Sequence, residues 1–190
     1  MKLKKWLILG GILVFVVVFA VRFVQVNTRY PAPSYRSVEP GEVEIPKSGL
    51  EYSVSDAYFI SPEEITALYD AIDPEQALYT RYIPGEQEQL LMIEMTIYNP
   101  TNEEKEFGVP TNLESGAWSN GLDAPMYVYL NPEAEKPLAS GESITVKMPF
   151  TMLYLQFTPS KWKTVQEREY QLMLSLYPEK VVMELPLNHS

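Results

Sequence analysis

The sequence predicts a mainly β protein: a two-sheet sandwich with one short inserted helix, preceded by a single transmembrane helix. Three observations predict this fold class. An apolar run fills most of residues 1–26, apolar and polar residues alternate with period two through much of residues 49–190, and one segment near residue 65 has helical spacing instead. Period-two alternation is typical of strands that bury one face, and several short strands separated by turns are typical of a sandwich.

The N-terminal run predicts a membrane anchor. Trp6–Val26 provides 21 residues, nearly all apolar, and a helix that crosses a bilayer needs roughly 20. Three lysines lie within the first five residues, so the positive-inside rule places the N-terminus in the cytoplasm and the rest of the chain outside. The alternative is a cleaved signal peptide, since Val18-Phe19-Ala20 fits a cleavage site. The run exceeds the usual signal core of about 7–15 residues, which favours an uncleaved anchor over residues 1–26.

Residues 27–48 are predicted to form an extended extracellular stalk. Four prolines interrupt this segment at positions 31, 33, 40 and 46. Proline has no N–H to donate and fixes its own φ angle, so closely spaced prolines disfavour both a helix and a sheet ladder. The folded domain is therefore expected to occupy residues 49–190.

Alternating runs predict the strands of that domain. The clearest spans residues 91–97, and a second follows the Ser140-Gly141 turn. Runs near residues 172–176 and 181–187 are separated by a short turn and predict a closing hairpin. The residues predicted to face one interior are Leu91, Ile93, Ile97, Val146, Phe150, Leu174 and Val181.

Local irregularities predict where these strands bend or end. Pro149 lies within an alternating run and lacks an N–H, which predicts a sheet edge or a bulge. The apolar parity changes between Val54 and Ala57, which predicts a β-bulge.

One helix has clear start signals. Ser61 can cap it, Pro62 suits its first position, and Glu64 completes a Ser-x-x-Glu capping box. Apolar side chains with the spacing of one helical face follow at Ile65, Leu68, Tyr69 and Ile72, and Asp73-Pro74 is expected to end the helix. A second helical turn is predicted over residues 159–165, with Trp162 packed inward.

Two segments resemble parts of a known group of domains. Residues 91–101 (LMIEMTIYNPT) resemble a strand, ending at Asn and a turn, of small envelope domains from Gram-positive bacteria. Residues 138–150 (LASGESITVKMPF) resemble their later segment, in which L-x-x-G-E-S precedes an alternating strand. The resemblance covers roughly residues 50–187. It implies an immunoglobulin-like fold in an uncharacterised extracytoplasmic protein, membrane-anchored or lipid-modified, and it implies no catalytic residues.

Composition excludes several function classes. The chain has no cysteine, and its one histidine is His189, so thiol nucleophiles, disulfides, a lipid anchor near residue 20 and histidine-based triads or metal sites are absent. Residues 27–190 carry 11 basic and 25 acidic groups, a formal charge of −14. Such a charge disfavours nucleic-acid binding. We expect no cofactor and no catalytic residue.

Two residue types leave alternative functions open. Asp70, Asp73 and Glu75 cluster at the predicted helix end, with Glu86 and Glu88 beside the next strand. Carboxylates could form a calcium site or a glycosidase pair, but no calcium-loop motif is present, and solvated surface charge is the simpler interpretation. Seven methionines in the outer domain could bind copper. Their mixed positions on strands favour packing of the core instead.

One aromatic patch is the candidate binding site. Tyr127 and Tyr129 alternate with aliphatic residues on a predicted strand, so both are expected to face solvent, and Trp118 precedes them across a turn. Exposed aromatic side chains can stack on sugars or bury a partner's side chain. The competing interpretation is that these rings only stabilise the sheet.

These observations favour a non-enzymatic, membrane-anchored extracellular binding or accessory module of a bacterial cell envelope. Its expected partners are another envelope protein or a cell-wall glycan. The alternatives are a carboxylate-based glycan hydrolase and a metal-binding envelope protein. The interpretation as a binding or accessory module depends on the predicted architecture and on the lack of recognisable catalytic motifs.

Overall fold

The computed structural model describes residues 2–41, 43–44, 48–72 and 87–187. The chain divides into two compact units, residues 1–34 and 35–190. The first unit contains helix α1, Lys2–Arg29, in which the 21 residues Leu9–Arg29 are long and apolar enough to cross a membrane. A helix of this kind at an N-terminus serves either as an anchor or as a signal sequence.

Helix α1 continues past the predicted end at Val26 because polar side chains near its end bond back to the helix. The Asn27 amide donates to the Phe23 carbonyl at 2.8 Å. The Thr28 hydroxyl donates to the Val24 carbonyl at 2.8 Å. These bonds to carbonyls four residues back let two polar residues remain helical.

The second unit is a two-sheet β-sandwich, as predicted. One sheet has five strands in the order β1-β9-β8-β5-β6 and the other has four in the order β2-β3-β4-β7. Strands β3, β4 and β7 are antiparallel neighbours. The strands are β1 Ser34–Val38, β2 Val43–Glu44, β3 Glu51–Phe59, β4 Glu88–Tyr98, β5 Asn112–Ser115, β6 Trp118–Gly121, β7 Ser143–Leu153, β8 Gln171–Ser175 and β9 Glu179–Glu184.

The secondary structure predicted for residues 27–48 is wrong in part, because this segment contains β1 and β2. Strand β1 belongs to the five-stranded sheet and β2 to the four-stranded sheet. Proline does not interrupt β1, since Pro33 and Pro40 fall outside Ser34–Val38. The strand is also held by side chains. The Arg36 guanidinium pairs with Glu179 at 3.0 Å, and Ser37 donates to Glu184 at 3.0 Å. Pro46 lies outside the described residues.

The sandwich interior confirms the predicted core. All seven residues expected to face one interior belong to a single buried cluster between the sheets, and Leu174, at 8% exposure, is the most accessible of them. The predicted bulge is confirmed by a register shift between Val54 and Asp56. The predicted edge is confirmed as well, since Pro149 lies on β7, the last strand of its sheet.

A second, smaller core lies on the outer face of the four-stranded sheet. It contains Ile60, Ile65, Ile72, Leu90, Met92 and Met126. Two helices cover this face: α2, Pro62–Ala71, and α3, Ala124–Leu130. The first half of β4 is therefore buried on both faces, although its alternation predicts only one buried face.

The start of α2 is as predicted, with both halves of the capping box formed by Ser61 and Glu64. The expected stop at Asp73-Pro74 lies outside the described residues. The second predicted helical turn is present as α4, Pro159–Trp162, followed by a 3₁₀ turn at Val165–Glu167. Trp162 packs partly buried against the main core, as predicted.

Candidate ligand-binding site

A row of six aromatic rings runs from the interior of the sandwich to its surface. Tyr170 is 1% exposed, whereas Tyr154 is 37% exposed. Named so that each ring contacts the next, the rings are Phe59, Tyr170, Trp118, Phe157, Trp162 and Tyr154, with neighbouring centroids 5.4–6.1 Å apart. Such distances and the mostly tilted or edge-to-face angles are those at which aromatic pairs attract. We call this set the aromatic row.

The turn between β5 and β6 positions Trp118 within this row. Gly116 has φ +60°, a conformation that favours glycine, and it allows the chain to reverse before Trp118. Arg168 holds the turn, because its Nε donates to the Ser115 hydroxyl at 3.0 Å and a terminal nitrogen donates to the Ser115 carbonyl at 2.7 Å. The Trp118 indole N–H reaches the Gln156 side chain at 3.4 Å.

Two depressions border the segment that carries α4. The smaller, which we call the cleft, has a volume of about 210 Å³, and its lining residues are Ala117, Trp118, Gln156, Phe157, Thr158, Lys161 and Arg168. The larger, which we call the groove, has a volume of about 780 Å³ and is lined by Tyr58, Phe59, Ile60, Ser61, Pro62, Gln89, Trp162, Lys163, Val165, Gln166, Glu167 and Leu187. Burial and the Glu94 carboxylate raise the pKa of Tyr58 to about 12, so its hydroxyl is neutral at physiological pH.

The structure places Trp118 in the cleft and leaves the two predicted tyrosines elsewhere. Tyr127 and Tyr129 lie on α3, not on a strand, so the predicted period-two exposure is wrong. Asp123 caps this helix by accepting from the Met126 N–H at 3.1 Å. Met126 and Leu130, four residues apart, then share the face that packs into the second core.

The two tyrosines consequently have different environments. Tyr129 is 44% exposed, whereas Tyr127 is half-buried against the main core, and burial raises its pKa. Neither lines the cleft or the groove. The sequence analysis does not predict Phe157 and Arg168 as neighbours of Trp118 in the cleft. Only the pairing of distant strands brings them together, and no local pattern indicates it.

The carboxylates predicted as surface charge include one that is buried. Glu88, at the start of β4, is 3% exposed and accepts a hydrogen bond from the Tyr69 hydroxyl of α2. Asp123 lies close enough to affect it and also accepts from Thr151 at 3.3 Å. Asp70 is exposed on α2, while Asp73, Glu75, Glu86 and His189 lie outside the described residues.

Burial raises the pKa of Glu88, and the nearby Asp123 carboxylate raises it further. The hydrogen bond from Tyr69 has an opposite effect, smaller than that of burial, and lowers this pKa. The folded chain thus binds this proton more tightly than the unfolded chain. Stability should therefore fall as the pH rises from the ordinary glutamate pKa to the raised one, by no more than about 1.4 kcal/mol per pH unit.

Glu88→Gln should remove this pH dependence while keeping an oxygen that accepts from Tyr69. We expect the variant to be more stable than the wild type at pH 7 and to differ least from it below pH 4. Urea unfolding between pH 3 and pH 8 measures this difference. Glu104→Gln, at an exposed position, controls for the loss of one charge. If the free energy of unfolding depends on pH in the same way in Glu88→Gln and in the wild type, the proposed effect of burial is contradicted.

The methionines fill the cores, as predicted. Six of the seven outer-domain methionines are buried: Met92, Met95, Met126, Met148, Met152 and Met183. Within the described ranges, no three acidic or histidine side chains are grouped so that they could hold a metal ion.

Comparison with known proteins assigns no activity. Residues 41–181 match the model of a family described as a domain of unknown function, DUF5028. A search of the curated proteins finds no match.

A search of solved structures finds chains that are similar to this one, among them the following two. The first is a functionally unknown protein from Listeria monocytogenes EGD-e, with 12% identity and a TM-score of 0.48, covering 77% of this chain and 82% of the other. The second is an uncharacterised β-sandwich protein from Clostridium difficile 630, with 11% identity and a TM-score of 0.45, covering 80% of this chain and 95% of the other.

Proposed function

Because the chain belongs to the DUF5028 family, whose description names no activity, we propose a function from its own residues: it is a non-enzymatic, membrane-anchored binding module that holds a cell-wall glycan in the cleft. The observation that carries this proposal is the middle of the aromatic row, where Trp118 and Phe157 line the cleft. An aromatic face beside a depression is a common way to bind the apolar face of a sugar ring.

The polar groups of the cleft support the same ligand class. Gln156 and Thr158 line it beside the two rings. The Gln156 side-chain oxygen accepts from the Trp118 indole and the Leu153 N–H, so its NH₂ group is the donor for a sugar hydroxyl, and the Thr158 hydroxyl can donate or accept. The Trp118 indole is fixed by its contacts with Phe157 and Tyr170. A ring held in this way loses little conformational entropy on binding.

We further propose that α1 is retained as the anchor, with the sandwich outside a Gram-positive cell. The three lysines within the first five residues support this orientation, and wall glycan is accessible only from that side. Protease added to intact cells should digest the sandwich. Protection of the sandwich, or a mature protein that begins after residue 20, would contradict the proposal.

Trp118→Leu should weaken glycan binding about thirtyfold, because truncation of a central aromatic contact typically costs about 2 kcal/mol. Full-length protein in neutral-lipid nanodiscs can be titrated against purified wall sacculi and measured by co-sedimentation. Tyr129→Leu is a matched control, since it removes an exposed aromatic ring that does not line the cleft.

Thermal unfolding of both variants must be measured first, because Trp118 also packs against the core. A folded Trp118→Leu protein that binds sacculi as tightly as the wild type would contradict the proposed site. Loss of binding in Tyr129→Leu alone would move the site to α3.

A further inference from the structure

The positive charges of the sandwich are unevenly paired. Within the described part of residues 35–187, most basic side chains form an ion pair with a glutamate; these are Arg36, Lys105, Lys136, Lys147 and Lys180. The remaining three, Lys161, Lys163 and Arg168, have no carboxylate partner among the described residues. All three lie in one stretch of the chain, on and just after α4.

This stretch is also where the cleft and the groove open. Lys161 and Arg168 line the cleft, and no carboxylate is among its lining residues. Lys163 lines the groove together with Glu167. Glu167 and Glu169, which flank Arg168 in the chain, are exposed and line other depressions. Charges are screened over about 10 Å at ordinary salt, so a ligand in the cleft experiences the cations that line it more than acidic groups farther away.

Arg168 is the best ordered of the three cations. Its guanidinium carbon lies 5.8 Å from the centroid of the Phe157 ring, and two of its nitrogens bond to Ser115. The third nitrogen makes no hydrogen bond within the described residues. The cation is therefore held in place at the cleft with donor capacity remaining, which is the condition for binding an anion without further ordering.

We infer that the glycan held in the cleft is acidic: a sugar ring stacks on Trp118 and Phe157 while its carboxylate or phosphate group is bound by Arg168 and Lys161. This inference rests on the proposed glycan-binding function and specifies its ligand. The volume of the cleft, about 210 Å³, is below the roughly 300–1,000 Å³ of pockets for drug-sized ligands. It suits one ring with its charged substituent.

Sacculi in three states test the inference. The first are untreated, and the second are stripped of phosphodiester polymers with hydrofluoric acid. The third, which we call uncharged sacculi, are stripped in the same way and then have their remaining carboxylates amidated. Full-length protein in neutral-lipid nanodiscs should bind the uncharged sacculi about tenfold more weakly than the untreated ones. The step at which binding falls identifies phosphate or carboxylate as the group recognised. Raising the salt from 0.05 to 0.5 M should weaken only the binding to charged sacculi.

A matched pair of variants assigns the effect to the cleft. Lys161→Gln should weaken binding to untreated sacculi about three- to tenfold and reduce the difference in affinity between untreated and uncharged sacculi. Lys136→Gln, which removes an exposed lysine paired with Glu133, should change neither. Both substitutions are on the surface, so folding should be preserved.

The possible failures can be distinguished. Equal, salt-independent binding to charged and uncharged sacculi would overturn the acidic ligand and leave the glycan-binding function standing. Absence of binding to every form of sacculus would overturn both. Binding to vesicles of anionic lipid in place of sacculi, lost in Lys161→Gln, would show that the cations contact a membrane surface and would overturn the saccharide.

Discussion

Asn99→Ala should destabilise the sandwich by about 2–4 kcal/mol, because one buried amide holds two turns together. Asn99 is 0% exposed, and its side-chain oxygen accepts from the Thr101 N–H at 3.0 Å and from the Thr101 hydroxyl at 2.6 Å. Its side-chain nitrogen donates to the carbonyls of Glu103 at 2.7 Å, Leu138 at 2.9 Å and Ala139 at 3.2 Å. Alanine would leave these carbonyls without that donor.

Urea unfolding of the wild type and Asn99→Ala measures the loss. Asn112→Ala provides the control, since it removes an exposed amide whose one side-chain hydrogen bond within the described residues is to the neighbouring Thr111 hydroxyl. It should change stability by less than about 0.5 kcal/mol. Equal stabilities for the two alanine variants would show that the Asn99 hydrogen bonds make no net contribution to the free energy of unfolding.

Asn99 also links two segments that are separate in the sequence. Its backbone N–H donates to the Glu142 carbonyl at 2.9 Å, and its carbonyl accepts from Gly141 at 2.8 Å. The end of β4 and the turn before β7 are thus one hydrogen-bonded structure.

Ile93→Ala should destabilise the sandwich by about 2–5 kcal/mol, the usual range for removing buried aliphatic atoms and leaving a cavity. Ile93 is 0% exposed and lies on the central strand β4, paired with Ala57 on one side and Met148 on the other. Strands on both sides limit how far the site can collapse, which places the expected loss in the upper half of that range.

Thr96→Ala is the control on the same strand, three residues away and on the opposite face. Its hydroxyl contacts Thr145 at 2.9 Å on the exposed side of the sheet, so the expected loss is under about 1 kcal/mol. Chemical denaturation of both variants compares them. A smaller loss for Ile93→Ala than for Thr96→Ala would mean that the face assigned to β4 is reversed.

The candidate site was predictable only where a local pattern marks it. Trp118 is identifiable as a rare, large aromatic residue beside a turn, and it lies in the cleft. The predicted strand position of Tyr127 is wrong because two patterns fit this segment. Residues 126, 128 and 130 fit a strand by their alternation, while residues 126 and 130 also fit one face of a helix. Asp123 and Pro125 at the start of the segment are the helix signals that should have decided between the two.

The sequence by itself determined the parts of this protein that depend on neighbouring residues. The apolar length of α1, the capping box of α2 and the alternation of β4 all follow from contacts within about four residues or from one buried face. Local chemistry determines such elements wherever they are placed, so each is present in the structure where the sequence predicts it.

Only the tertiary structure decided which distant side chains meet. Arg168 joins Trp118 because β5 pairs with β8, and Phe157 joins it because β6 lies against β7. Glu88 is buried because α2 brings Tyr69 onto β4. The apolar outer face at Leu90 and Met92 likewise depends on the two helices that cover it. Period-two alternation determines which side chains share a face of a strand. What covers that face is set by the path of the whole chain, since burial is a property of the assembled layers.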